Sequence, residues 1–213
     1  MESYVIRHGR SQHNSGLTND LDSSLTPDGV IQSRGTGNFL AKQISDIENY
    51  TLYTSPMLRC LMTTEQMILG AKGRLDKLKV VVEPLIHESL PPNSEEVVIP
   101  VRKELFPDYD WSLMRDKDLT IGPDDGKKLI ERCIRSVRFA DPKSIFISHG
   151  STCLSLALCL SEDNPKMRRW DHSISNASIT KILNDEIVWW GRVIYPDSYK
   201  SSHLYEDYCK KYL

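Results

Sequence analysis

Short apolar runs alternate along the chain with segments of helical periodicity, and this alternation limits the folds available to it. Four apolar runs predict buried strands at residues 3–6, 51–54, 79–83 and 144–148, and residues 177–183 and 187–194 could form two more. The segments that predict helices are 26–44, 55–69, 124–140 and 150–160. Strands alternating with helices favour a three-layer α/β fold with a mainly parallel central sheet and helices on both faces.

Two of the predicted helices begin with a hydroxyl residue followed by proline. These pairs are Thr26-Pro27 and Ser55-Pro56. A hydroxyl side chain can cap the first free N–H groups of a helix, and proline fits the first helical position. The segment 150–160 is apolar all round, so it predicts a buried helix.

Composition and length predict a globular protein with a single domain over residues 1–213, since 39% of the residues are hydrophobic and 26% charged. The net charge of −2 gives no reason to expect a nucleic-acid or membrane partner. No signal peptide is visible, and the longest apolar run is too short to span a bilayer, so we expect a cytoplasmic protein. The odd number of cysteines, without a Cys-x-x-Cys pair, predicts reduced thiols: Cys60, Cys133, Cys153, Cys159 and Cys209.

Residues 89–123 interrupt the alternation of strands and helices. This segment holds five prolines and an aromatic cluster at residues 106–111. We interpret it as an insertion or cap over a functional site. An ordinary long connection with a short helix fits the same sequence, and both interpretations stay open at this point.

Four of the predicted strands lead into residues suited to phosphate chemistry. These residues are Arg7-His8-Gly9, Arg59, Glu88 and Ser148-His149-Gly150. Ligands of open α/β sheets bind outside the carboxyl ends of the strands. If these strands are parallel neighbours, two arginines, two histidines and a glutamate meet at one edge of the sheet.

This set of side chains has a chemical logic. Fixed guanidinium groups can hold the charge that spreads over a phosphoryl group during its transfer. A neutral imidazole nitrogen can attack phosphorus, and a partly buried glutamate can protonate the leaving oxygen. Glycine after each histidine lets the backbone and its N–H groups approach an anion closely.

Six motifs in order extend this pattern over most of residues 3–183: RHGRSQHN, SLTPDGVIQS, TSPMLRCLMTTE, PLIHE, ISHGS and SNASIT. With them, the chain resembles the histidine phosphatase superfamily, in its phosphoglycerate mutase-like branch. The resemblance implies that His8 is the phosphorylated nucleophile and Glu88 the proton donor. It also implies that Arg7, Arg59 and His149 bind the phosphoryl group with help from Asn14, without a metal or organic cofactor.

Three further residues are candidate substrate contacts, and the identity of the acid has alternatives. The contacts are Ser11, Gly150 and Arg10, although Arg10 suits a solvated loop equally well. We prefer Glu88 as the acid because it follows the third strand closely. The other glutamates close by in sequence are Glu83, Glu95 and Glu96.

The sequence therefore predicts metal-independent hydrolysis of a small phosphate monoester through a phosphohistidine on His8. The resembling mutases have a basic and aromatic run directly after the acid, whereas this chain has residues 89–92, Ser-Leu-Pro-Pro. This difference favours a phosphatase over phosphoglycerate mutase-type transfer, which remains the alternative. A non-catalytic module that binds phosphorylated ligands is a third hypothesis, which the presence of both His8 and Glu88 disfavours.

Overall fold

The computed structural model describes residues 1–161 and 174–194, and within them all six predicted strands and all four predicted helices form. The central sheet contains β1 (Glu2–Arg7), β2 (Thr51–Thr54), β3 (Lys79–Val82), β6 (Lys143–Ser148), β7 (Ile179–Leu183) and β8 (Glu186–Arg192). A small second sheet pairs β4 (Val97–Ile99) with β5 (Leu119–Ile121). The helices are α1 (Pro27–Gln43), α2 (Leu58–Gly70), α3 (Gly126–Arg138) and α4 (Gly150–Leu160).

The strand order of the central sheet is β3-β2-β6-β1-β7-β8. The first four of these strands are parallel, and β7 and β8 extend the sheet in antiparallel fashion beyond β1. The mainly parallel sheet is therefore confirmed. The carboxyl ends of β1, β2, β3 and β6 lie along one edge, as a shared site requires.

Alternate residues of each central strand pack on opposite faces of the sheet. Tyr4 and Ile6 of β1 join a buried cluster with residues of α1 and α2. Val5, between them, joins a second cluster with residues of α3 and α4. Because successive strand side chains point to opposite faces, the three-layer arrangement follows directly from this register, and the predicted α/β fold is confirmed.

The two predicted hydroxyl caps have different outcomes. Thr26 caps α1 as predicted, with its hydroxyl oxygen 3.2 Å from the Gly29 N–H that donates to it. The cap predicted at Ser55 is wrong, because α2 begins at Leu58 and the Ser55 hydroxyl instead bonds a histidine of the site described below. Helix propensity depends on the local sequence, so it could not reveal a hydrogen-bond partner that folding brings from elsewhere in the chain.

Helix α4 is less buried than its sequence predicted. Thr152, Cys153 and Leu156 are buried, but Leu158 on the opposite side is 40% exposed. The prediction of a buried helix is therefore confirmed for the side that packs against the sheet and wrong for the side that carries Leu158. One side of α4 faces solvent because no further layer covers it within the described residues.

The segment 89–123 packs against the outer edge of β3 and against α2. Asp110 pairs with β3, donating its N–H to the Val80 carbonyl (2.8 Å) and accepting from the Val82 N–H (2.9 Å). Phe106 and Trp111 are buried in a cluster with residues of α2 and β3, so these aromatics belong to the core. A role for this segment as a cap over bound substrate stays a prediction.

Four of the five cysteines lie in the described part of the chain, and none of these four forms a disulfide. Cys209 lies outside it. Among the described residues, no helix combines the length and the apolar character needed to cross a bilayer. The cytoplasmic location stays a prediction.

Candidate active site

His8 follows the last residue of β1 and is fully buried. Its Nδ1 atom lies 2.7 Å from the Gly9 carbonyl oxygen, which can only accept a hydrogen bond. Nδ1 therefore carries the ring proton, and Nε2 keeps its lone pair. The Arg59 Nε–H donates to that lone pair at 3.1 Å, which marks Nε2 as the atom aimed into the site.

The turn after His8 is held by close backbone contacts. A side chain at Gly9 would place its Cβ 2.5 Å from the Gly29 carbonyl oxygen and 2.6 Å from the Ser33 hydroxyl. The Gly9 N–H donates to the Thr63 hydroxyl of α2 at 3.0 Å. Glycine is needed here because the turn presses against the first turn of α1, and this contact fixes the position of His8.

Arg59 connects three parts of the site. It lies in the first turn of α2, as predicted, and is 2% exposed. Its Nε–H reaches His8, its Nη2 lies 3.2 Å from Glu88 Oε2, and its Nη1 donates to the Leu21 carbonyl. A buried guanidinium with all its nitrogens engaged has one fixed orientation, as binding of an oxyanion requires.

His149 stands beside His8, at the start of α4. The two ring centroids are 5.2 Å apart, and His149 is fully buried. Its Nε2 lies 2.9 Å from the Ser55 hydroxyl, and its Nδ1 lies 3.3 Å from Glu88 Oε2 but outside hydrogen-bonding geometry. His149 is also the N-cap residue of α4 and makes no side-chain cap bond, which leaves that helix terminus available to an anion.

Glu88 is held in the site by the loop after β3. The Thr152 hydroxyl donates to the His87 carbonyl (2.9 Å), and the Ser148 hydroxyl donates to the Ile86 carbonyl (2.7 Å). These bonds tie the loop to β6 and α4, so the Glu88 carboxylate reaches both Arg59 and His149.

The alternative acids lie elsewhere. Glu83 is buried, but its carboxylate accepts from the Leu85 N–H and lines a separate cavity beside β3. Glu95 and Glu96 are exposed on the 89–123 segment. Among these glutamates, Glu88 is the one whose carboxylate meets the histidine and arginine cluster.

Burial and neighbouring charges set the protonation of the cluster. Burial, with the charge of Arg59, lowers the pKa of His8 well below 6.5 and that of His149 to about 4. Burial alone would raise the pKa of the Glu88 carboxyl, but His149 and Arg59 lower it by more, to well below the usual range. In the free protein at neutral pH, both imidazoles are therefore neutral and Glu88 is ionised.

Arg7 ends β1 and brings a second guanidinium to the site. Its Nη1 donates to the Ile174 carbonyl, while its buried Nε has no hydrogen-bond partner among the described residues. A Cβ on Gly150 would lie 3.7 Å from the guanidinium carbon, so the first turn of α4 runs directly beside it. The unused donor and the helix terminus face the same region, which suits an anion.

The remaining candidate contacts belong to the loop after His8. The Ser11 hydroxyl is buried and accepts from the Asn14 N–H (3.1 Å), while the exposed Asn14 side chain accepts from Asn176 (3.2 Å). The Arg10 guanidinium bonds the Ser15 hydroxyl and lies 3.9 Å from Asp28. These contacts give Ser11 and Arg10 local structural partners, and their contact with substrate stays a prediction.

Three residues of the site escaped sequence reasoning. They are Ser55, which bonds His149; Thr63, which bonds Gly9; and Asn176, which donates to the His8 carbonyl at 3.1 Å. Ser55 and Thr63 lie inside the motif that carries Arg59, and Asn176 lies inside the motif SNASIT. Only their tertiary partners reveal a role in positioning the two histidines.

The ligand atoms of His8, Glu88 and His149 lie within 4.8 Å of one another, close enough to consider a cation. However, the Arg59 guanidinium contacts both His8 and Glu88 within this set, and Arg7 adds a second positive charge nearby. Two fixed positive charges oppose a bound cation and favour an anion. The arrangement therefore suits a phosphoryl group held by arginines beside an imidazole lone pair.

Comparison with solved structures shows the same fold in phosphatases. The ecdysone phosphate phosphatase from Bombix mori in complex with tungstate is 17% identical, with a TM-score of 0.66 over 94% of this chain and 95% of that chain. A mycobacterial glucosyl-3-phosphoglycerate phosphatase is 16% identical, with a TM-score of 0.61 over 90% and 99%. The phosphoserine phosphatase from Entamoeba histolytica is 19% identical, with a TM-score of 0.52 over 85% and 90%.

Identities this low establish the fold alone, and a search of curated protein sequences found no match. The sequence profile of the histidine phosphatase superfamily (branch 1), in contrast, matches residues 3–192. This range contains the whole cluster from Arg7 to His149, and the chain therefore belongs to the histidine phosphatase superfamily.

Proposed function

We propose that this protein hydrolyses a small phosphate monoester through a covalent phosphohistidine on His8. The observation that carries the proposal is the orientation of His8. Its Nδ1 is bound to the Gly9 carbonyl, so the Nε2 lone pair points toward the arginines and Glu88. A nucleophile, an anion clamp and an acid then lie within reach of one phosphorus atom.

Substrate binding would change the hydrogen-bond partners of the Arg59 guanidinium. In the free protein its guanidinium contacts His8 Nε2 and Glu88. An incoming phosphoryl group would take over these donors, together with the Arg7 Nε–H, which has no partner in the described part of the chain. The two negative charges of the ester then stand beside Glu88, which raises the pKa of its carboxyl and favours uptake of a proton.

In the first half-reaction, His8 Nε2 attacks phosphorus while the bond from phosphorus to the ester oxygen breaks. Protonated Glu88 transfers its proton to the leaving oxygen, and the alcohol departs. The Arg59 and Arg7 guanidiniums offset the charge on the equatorial oxygens. The products of this step are the alcohol, phosphohistidine and the Glu88 carboxylate.

In the second half-reaction, water attacks the phosphohistidine and Glu88 takes up a proton from it. The phosphorus–nitrogen bond breaks, His8 regains its lone pair, and inorganic phosphate leaves. Protonated Glu88 is thereby ready for the next ester. One carboxyl therefore serves first as acid and then as base.

Two observations support hydrolysis over mutase-type transfer. Residues 89–92 after the acid offer no basic or aromatic side chain to hold a product alcohol against the phosphohistidine. The three compared structures carry the names of phosphatases. Their named substrates differ from one another, so the proposal is confined to a phosphate monoester as a class.

The test is release of inorganic phosphate from p-nitrophenyl phosphate and from a panel of phosphorylated metabolites. We expect turnover by the unaltered protein and none by His8→Ala. A second assay supplies 3-phosphoglycerate with catalytic 2,3-bisphosphoglycerate. Rapid formation of 2-phosphoglycerate with little free phosphate would establish the mutase instead. Tight binding of phosphorylated ligands without any turnover would establish a binding module.

A further inference from the structure

The ion pair between Asp22 and Arg102 links the 89–123 segment to the phosphoryl site. We propose that these two are positioning residues, which hold Arg59 in the orientation that binds an oxyanion. The inference rests on the proposed function, in which Arg59 clamps the phosphoryl group. It gives the 89–123 segment a role in catalysis that does not require it to cover the substrate.

Helix α2, which carries Arg59, receives its cap from outside the helix. Its own N-cap residue, Met57, makes no side-chain cap bond. Asp22, from the loop between β1 and α1, accepts instead from the Leu58 N–H, with its Oδ1 at 2.7 Å. A carboxylate at this terminus also complements the helix dipole.

The same loop fixes the Arg59 side chain. The Leu21 carbonyl, next to Asp22, accepts from Arg59 Nη1. Residues 21 and 22 therefore hold both the backbone of the first turn and the guanidinium that projects from it. A shift of this loop would rotate the Arg59 guanidinium away from His8 Nε2 and from the position that a bound oxyanion would occupy.

Arg102 supplies the charge partner of Asp22. Its Nη2 lies 2.5 Å from Asp22 Oδ2, and the two side chains are only 15% and 8% exposed. A carboxylate so shielded is costly unless an opposite charge stays beside it. Removing Arg102 should therefore displace Asp22 toward solvent and release the α2 terminus.

Apolar packing reinforces this link. Leu21 packs against a buried cluster that contains Met57 and three residues of the segment, Leu90, Ile99 and Ile121. The 89–123 segment thus touches the loop through both a charge pair and an apolar contact. These contacts converge on the residues that border Arg59.

The experiment measures tungstate binding and p-nitrophenyl phosphate turnover in Arg102→Met, Arg102→Lys, Asp22→Asn and the double variant Asp22→Asn/Arg102→Met. In the wild type the two side chains act as a unit. We therefore expect Arg102→Met and Asp22→Asn each to weaken tungstate binding about tenfold or more, because a displaced guanidinium loses charge-assisted hydrogen bonds to the oxyanion. The double variant should lose little beyond either single one, and Arg102→Lys should recover part of the affinity.

Lys181→Met provides the matched control. Lys181 forms a similarly shielded pair with Glu2 (2.7 Å; 18% and 25% exposed) at the amino end of β1, far along the strand from His8. This variant should lose thermal stability without losing affinity for tungstate. A merely structural role for Arg102 predicts the same behaviour in Arg102→Met, and that result would overturn the proposal.

The two proposals fail in distinguishable ways. Additive losses in the double variant, or wild-type tungstate affinity in folded Arg102→Met and Arg102→Lys, would contradict the positioning role alone. A wild-type protein whose tungstate affinity depends on Asp22 and Arg102 as expected, but which hydrolyses no phosphate ester, would contradict the proposed function alone.

Discussion

Replacing Glu88 with glutamine tests the assignment of the acid, because the substitution keeps the shape of the side chain and removes its transferable proton. Proton donation matters most when the leaving alcohol is a poor leaving group. Glu88→Gln should therefore slow hydrolysis of alkyl phosphates strongly. The effect on p-nitrophenyl phosphate should be much smaller, since p-nitrophenolate departs readily as an anion.

The expected size of the Glu88→Gln effect follows from the two roles of the carboxylate, as a proton donor and as a negative charge beside the bound oxyanion. General acids contribute about 10²–10⁴-fold, which corresponds to roughly 2.7–5.4 kcal/mol of transition-state free energy. The same oxygen lies 3.2 Å from Arg59 Nη2 and 3.3 Å from His149 Nδ1, so its negative charge competes with any bound oxyanion. Two unit charges about 4 Å apart repel by roughly 4 kcal/mol at an effective dielectric constant near 20. Glu88→Gln should accordingly bind tungstate more tightly than the wild type while turning over alkyl esters more slowly.

The assay compares kcat/KM for a series of esters with increasingly poor leaving groups, alongside the dissociation constant for tungstate. Glu83→Gln is the matched control, because Glu83 is also buried but lines a different cavity. Equal, small losses for Glu88→Gln across the series, or a steep leaving-group dependence in Glu83→Gln, would refute the assignment of Glu88.

Two further predictions concern the frame around the histidines. Gly9→Ala forces a Cβ to within 2.5 Å of the Gly29 carbonyl, and we expect a loss of roughly 1–3 kcal/mol in unfolding free energy with reduced turnover. Gly126→Ala, with open space at its Cβ, should be close to neutral in the same urea titrations. Because burial lowers the pKa of His149 from 6.5 to about 4, the unfolded chain binds more protons between these values. The contribution of His149 to the free energy of unfolding should be complete above about pH 6.5 and should fall by on the order of 3 kcal/mol on acidification toward pH 4. Urea unfolding of His149→Asn should show a shallower pH dependence than that of the wild type. An unchanged slope would contradict this prediction.

The sequence predicted the fold well because its signals are local. Strand runs such as 51–54 carry their own pattern, and Thr26 with Pro27 carries a complete helix start. The meeting of Arg7, Arg59 and His149 followed from one further rule, that parallel strands deliver their carboxyl ends to one edge. Those parts of the site could be predicted from the sequence alone.

The parts that could not be predicted depend on tertiary partners. Ser55 has the local features of a cap, yet its hydroxyl bonds His149 from a position three residues before α2 begins. Asp22 caps that helix from a distant loop, and no periodicity connects it to Arg102, which is 80 residues away. The pKa values of His8 and Glu88 likewise depend on burial and on neighbours brought together by folding.

The central claim is that His8 becomes covalently phosphorylated, and rapid quenching tests it most directly. The protein is mixed with a substrate labelled in its phosphoryl group, quenched within one turnover, and analysed by peptide mapping. We predict an acid-labile, base-stable phosphoryl group on the peptide that contains His8, absent from His8→Ala together with all turnover. Normal labelling or normal turnover in His8→Ala would contradict the account.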